Sequence, residues 1–153
     1  MVLSIWIGAP FVPSKDVTGK RMIELLQLKP GQTLYDLGSG DGRLLIAAAQ
    51  RGAKAVGVEV IPHVALLSVI KIFLAGKRRN ICVRWGNYWW VNLTQADAVA
   101  VYAMPGFMPR LARKFKRELK PGTPIVSNSF TIPGLTLVKQ ETVGKDRIFL
   151  YTV

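Results

Sequence analysis

Two carboxylates and three glycines at fixed spacing mark where this chain can do chemistry. Tyr35-Asp36-Leu37-Gly38-Ser39-Gly40-Asp41-Gly42-Arg43 sets the glycines directly after a short apolar run. Glycines there let the chain turn tightly and bring backbone N–H groups close to a ligand. The third glycine follows the second by two residues, not by the three of a dinucleotide fingerprint. No Gly-Lys-Ser or Gly-Lys-Thr follows, which excludes a P-loop. Asp36 ends the run before the loop. A carboxylate at that place suits a ligand carrying a positive ammonium and sulfonium, and repels a pyrophosphate. Glu59 ends the next apolar run, 23 residues after Asp36. An acid there accepts hydrogen bonds from both hydroxyls of a ribose.

Two later segments belong on the same side. Gly86-Asn87-Tyr88 follows a third apolar run, and Tyr102-Ala103-Met104-Pro105-Gly106-Phe107 follows a fourth. In an open parallel sheet, ligands lie across the carboxyl ends of the strands. Asn87 therefore either reads an adenine edge through its amide or caps its own loop. Displacement at a sulfonium methyl requires alignment and a lone pair on the acceptor. A lysine amine, with a free pKa of about 10.4, must lose a proton first. An apolar aromatic collar favours the neutral amine by desolvation. Tyr102 and Phe107 are the candidates for that collar, and Tyr102 is the candidate catalytic residue, as pocket lining more than as a proton carrier. No general base stands in the loop.

These segments need strands and helices to hold them. Ser14 is a candidate N-cap for a helix ending near Leu28. Thr33 to Leu37 is the first strand, and Leu44 to Gln50 the helix that Gly52 ends. Ala53 to Glu59 is the second strand, and Pro62 opens an apolar helix through Ala75. Ile81 to Arg84 and Ala96 to Ala103 are the next strands, the latter apolar nearly throughout, as in a strand covered on both faces. Met108 to Leu119 is an amphipathic basic helix, Thr123 to Asn128 a fifth strand. Leu135 to Val143 and Arg147 to Val153 form a closing antiparallel hairpin. Strands alternating with helices predict an α/β fold, a mostly parallel sheet with helices on both faces.

The chain has 153 residues, half of them apolar and a fifth charged, which is the length and composition of one globular domain. We read residues 1–30 as a lead-in and helix and 31–153 as the core. The single cysteine, Cys82, rules out an internal disulfide framework and reads as a buried structural thiol. The single histidine, His63, reads as a helix-start residue, and no metal site is expected. Neither the apolar but broken start nor the twelve or so apolar residues from Val64 suits a signal peptide or a membrane span. A net charge of +12 favours anionic partners: nucleic acid, an anionic membrane face or acidic protein. The basic residues Arg110, Arg113, Lys114, Lys116 and Arg117, with the turn at Lys77 to Arg79, are the candidate phosphate contacts. Trp85, Trp89 and Trp90 are either core or an exposed aromatic surface.

Taken together, these residues resemble the class I S-adenosylmethionine-dependent methyltransferases. More narrowly, the chain is similar to small protein-lysine methyltransferases of archaeal and mitochondrial type. The likeness rests on Pro10-Phe11-Val12-Pro13-Ser14, Tyr35 to Arg43, Val56-Gly57-Val58-Glu59 and Gly86-Asn87. It continues through Met108-Pro109-Arg110-Leu111, Glu118 to Gly122, Val126-Ser127-Asn128-Ser129-Phe130 and Pro133-Gly134. It implies a Rossmann-like sheet of seven strands with the last antiparallel, and S-adenosylmethionine as cofactor. Phe11, Val12 and Ser14 would close over the cofactor's methionine part, and Asp36, Gly38 and Gly40 would bind that part. Glu59 would take the ribose, and Asn87 with Tyr88 the adenine. Ser39, Asp41 and Val60 complete the implied cofactor-binding set. The Asn/Asp-Pro-Pro-Tyr loop of many amino-group methyltransferases is absent, and Tyr102-Ala103-Met104-Pro105 stands in its place. Nitrogen as acceptor is thus implied by the resemblance, not by a motif. The expected partner is a protein with an accessible lysine. Peripheral membrane contact and a monomeric, cytoplasmic protein are further expectations, with RNA as the alternative acceptor.

Overall fold

The computed structural model describes residues 16–153. Phe11, Val12 and Ser14, expected to cover the cofactor, lie outside the described residues, as does the Ser14 cap. Helix α1 (Asp16–Leu26) leads into β1 (Thr33–Leu37), α2 (Arg43–Gln50), β2 (Lys54–Glu59), α3 (Pro62–Leu74) and β3 (Ile81–Trp85). A short 3₁₀ turn (Tyr88–Trp90) precedes β4 (Ala98–Val101). A second such turn (Pro105–Phe107) precedes α4 (Met108–Glu118), followed by β5 (Pro124–Asn128), β6 (Thr136–Val143) and β7 (Asp146–Thr152).

The seven strands form one sheet in the order β3-β2-β1-β4-β5-β7-β6. The first five are parallel, and β7 runs antiparallel to both of its neighbours, β5 and β6. From β1 the chain first adds strands on one side, then crosses to β4 on the other. The carboxyl ends of β1 and β4 therefore flank the crevice where such sheets bind ligands.

Alternation along the strands divides the core into two layers. On β4, Ala98 and Ala100 join Leu34, Leu45, Ala48 and Ile23 on the face of α1, α2 and α3. Val99 and Val101 join Leu111, Phe115 and Phe149 on the face of α4. All four β4 residues are buried, as the apolar run predicts. Thr18 donates to Asp146 and Arg21 to both oxygens of Glu141, which ties α1 to the closing hairpin.

Two expectations about side chains are corrected. Cys82 is exposed, not buried. Its strand is the sheet edge, and by register with Val56 it points to the α4 face, where no described helix covers it. The basic helix is less open than its charge suggests. Lys114 is buried and donates to the Trp89 and Val91 carbonyls and to Glu118, so it is not a phosphate contact. The tryptophans divide: Trp85 and Trp90 are exposed, while Trp89 packs against the core. His63 sits exposed in the first turn of α3, beside Pro62, as expected.

Candidate active site

The loop after β1 curls back onto β2. Gly38, Gly40 and Gly42 all have positive φ, a conformation costly for other residues. The N–H groups of Gly38 and Ser39 both donate to the Val58 carbonyl, at 2.9 and 3.0 Å. This close approach needs Gly57. A Cβ there would lie 2.5 Å from Leu45 Cδ1 and 2.6 Å from Ser39 Oγ. Ser39 Oγ is buried and has no hydrogen-bond partner among the described residues.

Glu59 is buried at the end of β2 and is held at both oxygens. Gly40 N–H donates to Oε2 and Ile61 N–H to Oε1, each at 2.9 Å. An ionised carboxylate has about four lone-pair sites, so two N–H donors leave capacity for two hydroxyls. The Gly40 N–H, read from the sequence as a cofactor contact, is directed at Glu59 instead.

Asp36 near the end of β1 and Asp41 in the loop after it are in opposite electrostatic states. Asp36 is buried, and no described residue donates a hydrogen bond to it. Burial, then the negative charges of Glu59 and Asp41, push its carboxyl up to about 7. Such a group gains most from an arriving cation. Asp41 is also buried, which by itself would raise it. Hydrogen bonds from Lys71 Nζ at 2.6 Å and Arg43 Nε at 2.7 Å outweigh that and hold it below the usual range. Arg43 also reaches Asp16. Asp41 is therefore a clamp that fastens the glycine loop to α3 and α1, and Asp36 is the carboxylate left for a cationic ligand.

On the far side of Glu59, Asn87 Oδ1 accepts from Trp89 N–H at 3.0 Å and caps the Tyr88–Trp90 turn. The capping alternative thus holds, and its NH₂ keeps two donors of the kind an adenine edge accepts. Tyr88 is buried. Burial raises its phenol to about 12 against the opposing charge of Arg110, so it stays neutral. The Val60 carbonyl accepts the indole N–H of Trp85 at 3.0 Å.

At the crevice itself, the expected collar is half corrected. Tyr102 stacks on Phe130, with centroids 5.9 Å apart and planes 17° from parallel. Phe107 pairs with Trp89 instead, at 6.2 Å, and Arg110 covers the Trp89 ring from 4.1 Å. Phe130 is the residue that reading the sequence left without a role. One signal was available: it follows β5 as Tyr102 follows β4, at the carboxyl ends of neighbouring strands. Ser129 holds a φ of 67°, and Ser127 Oγ donates to the Phe130 carbonyl at 2.6 Å, which shapes the turn that presents it. Among the described residues no cluster of His, Cys, Asp and Glu can hold a metal ion.

Comparison with known proteins gives the family. Residues 36–139 match the ANTKMT methyltransferase domain family. The chain is 34% identical over 150 residues to a protein-lysine N-methyltransferase of Saccharolobus islandicus, covering 94% of this chain and 93% of that protein. It is 32% identical over 148 residues to the adenine nucleotide translocase lysine N-methyltransferase of Mus musculus, covering 96% of this chain and 64% of that protein. The chain therefore spans less than two thirds of the mouse relative's length. A solved Salinibacter ruber RNA methyltransferase in complex with S-adenosyl-L-homocysteine superposes with a TM-score of 0.89, at 31% identity, over 93% of this chain and 94% of that one. The chain therefore belongs to the ANTKMT methyltransferase domain family and is an S-adenosylmethionine-dependent methyltransferase.

Proposed function

We propose that this enzyme methylates the ε-amino group of lysine side chains in a protein, working as a monomer beside a membrane. The observation that carries the acceptor is the Tyr102–Phe130 stack at the crevice, in a chain that aligns almost end to end with a protein-lysine methyltransferase. When bound, S-adenosylmethionine would supply an electrophilic methyl group on a sulfonium, for which a lysine amine that has already lost its proton to solvent is the fitting acceptor.

This chain's residues supply orientation and desolvation. Asp36 offers its carboxylate to the cofactor's cationic end, and the remaining lone pairs of Glu59 take the ribose hydroxyls. The Asn87 amide serves the adenine edge. Tyr102 and Phe130 wall the crevice with apolar rings, so an entering lysine loses hydration and its neutral, nucleophilic form gains weight. No side chain need take the proton in the same step.

RNA is the second reading, favoured by the name of the Salinibacter relative and by exposed Arg113 and Lys116 on α4. The loss of Lys114 to the interior weakens it. Radiolabelled methyl transfer into a cell lysate, split between protease and ribonuclease digestion, separates the two. We expect label that protease removes and ribonuclease leaves. Label that behaves the other way overturns the lysine reading. Tyr102→Ala and Phe130→Ala should each lower kcat by about tenfold or more with little change in cofactor Kd.

A further inference from the structure

Helix α3 is apolar on the wrong side for a helix facing water. Its buried side is Val64, Ala65, Ser68 and Ile72. Its outward side carries Leu66, Ile70, Phe73 and Leu74, with Phe73 63% and Leu74 78% exposed. Leu66, Ile70 and Phe73 are spaced as one helical stripe, and the stripe runs on into Lys77-Arg78-Arg79. Between α3 and the free edge strand β3 lies an apolar groove of about 320 Å³, with Ile81 and Val83 on one wall and Arg78 at its rim. Trp85 lies on the same face of the sheet, 71% exposed, its indole N–H held by the Val60 carbonyl. A contiguous exposed apolar face of this kind marks an interaction surface.

Charge selects the occupant. From Val60 to Ala96 the chain has no Asp or Glu, yet it has Lys71, Lys77, Arg78, Arg79 and Arg84. Lys71 is bonded to Asp41. The other four have no acidic partner among the described residues. A second copy of a chain with a net charge of +12 would bring like charges together at this face. An anionic lipid surface would satisfy both features at once, with apolar side chains at the acyl boundary and the cations among the headgroups. At 13 residues α3 is too short to cross a bilayer, and no described helix is long and apolar enough to do so.

We infer that the outer face of α3, with the groove beside β3, is a docking surface for an anionic membrane, lying in the interface plane with the Lys77–Arg79 turn on the headgroups. This deepens the membrane part of the proposed function. Its test needs no cofactor or acceptor, so its failure would leave lysine methylation standing.

The test is flotation of the full chain with phosphatidylcholine vesicles, with and without phosphatidylglycerol, at low and high salt. We expect at least about tenfold more binding to the anionic vesicles at low salt, falling as salt rises. Removing the cations of Lys77, Arg78 and Arg79 by alanine substitution should weaken binding by about fivefold for each. Ile70→Asn with Phe73→Asn should weaken it further while circular dichroism and an unchanged thermal transition show the fold intact. Equal binding to both vesicle types, or binding indifferent to all five substitutions, overturns the inference. So does a salt-stable dimer in analytical ultracentrifugation that Phe73→Asn dissolves, which would assign the face to a second copy.

Discussion

The backbone N–H of Gly40 donates to Glu59 Oε2 at 2.9 Å, so the glycine loop and the acid proposed to take the ribose are one unit. Ile61 N–H holds the other oxygen. Glu59→Gln keeps one oxygen acceptor but replaces the other with an NH₂, which faces an N–H donor. The substitution should therefore disturb the loop as well as the ribose contact. We expect cofactor Kd to rise by at least about tenfold, equal to about 1.4 kcal/mol, and Glu59→Ala to do the same or worse. Calorimetric Kd values unchanged in both variants would remove Glu59 from the site.

The Asp36 carboxyl, raised to about 7, makes two measurable demands. Its folded value lies above the unfolded one, so the folded state binds the extra proton between about pH 4 and pH 7. Stability without cofactor should therefore fall as pH rises through that window and level off above it. Asp36→Asn should flatten this slope and raise stability at pH 8, by roughly 1 kcal/mol or more. Cofactor binding should show the opposite trend, since a cation pairs only with the ionised form. Affinity should improve by about tenfold from pH 6 to pH 8 in the native chain, and a Kd that does not vary over that range counts against the pairing.

Gly57→Ala tests the close approach of loop and strand. The added methyl would meet Leu45 and Ser39 at under 3.0 Å. Overpacking of this sort costs about 1–3 kcal/mol, and here it should displace the loop, so thermal stability and cofactor affinity should fall together. Ser39→Gly in the same chain should recover part of both, and strictly additive effects would show that the two residues do not touch.

Lys114 is buried, with its ammonium on the Trp89 and Val91 carbonyls and on Glu118, which also accepts from Leu93 N–H. This group fastens α4 to the segment that presents Asn87 and Tyr88. Lys114→Met takes the buried cation from Glu118, which keeps Arg117 and the Leu93 N–H, and leaves the Trp89 and Val91 carbonyls without their donor, so it should cost about 1–3 kcal/mol by denaturant titration. Because the Asn87–Tyr88 segment, proposed to face the adenine, loses its brace, cofactor Kd should rise while kcat at saturating cofactor stays near normal. A kcat loss at unchanged Kd would place Lys114 in the methyl-transfer step instead.

The element order and the two acids at strand ends were legible because they rest on short-range causes. Apolar runs of strand length, glycines that alone take positive φ, and Pro62 at a helix start act within a few residues of themselves. They placed Asp36 and Glu59 at the crevice and identified a sulfonium cofactor. What tertiary structure decided is which side chains face which others. Asp36 and Asp41 stand five residues apart, yet Lys71, 30 residues beyond Asp41 in the chain, bonds only Asp41. Lys114 looks like its exposed neighbours until the fold buries it beneath the Trp89 segment. Cys82 sits in an apolar run but on an edge strand, and no local pattern tells an edge from a centre. Tyr102 met Phe130 rather than Phe107 because β4 and β5 are neighbours in the sheet. Burial and pairing are set by strand order and long-range packing, which brings together residues that have no short-range relation in the chain.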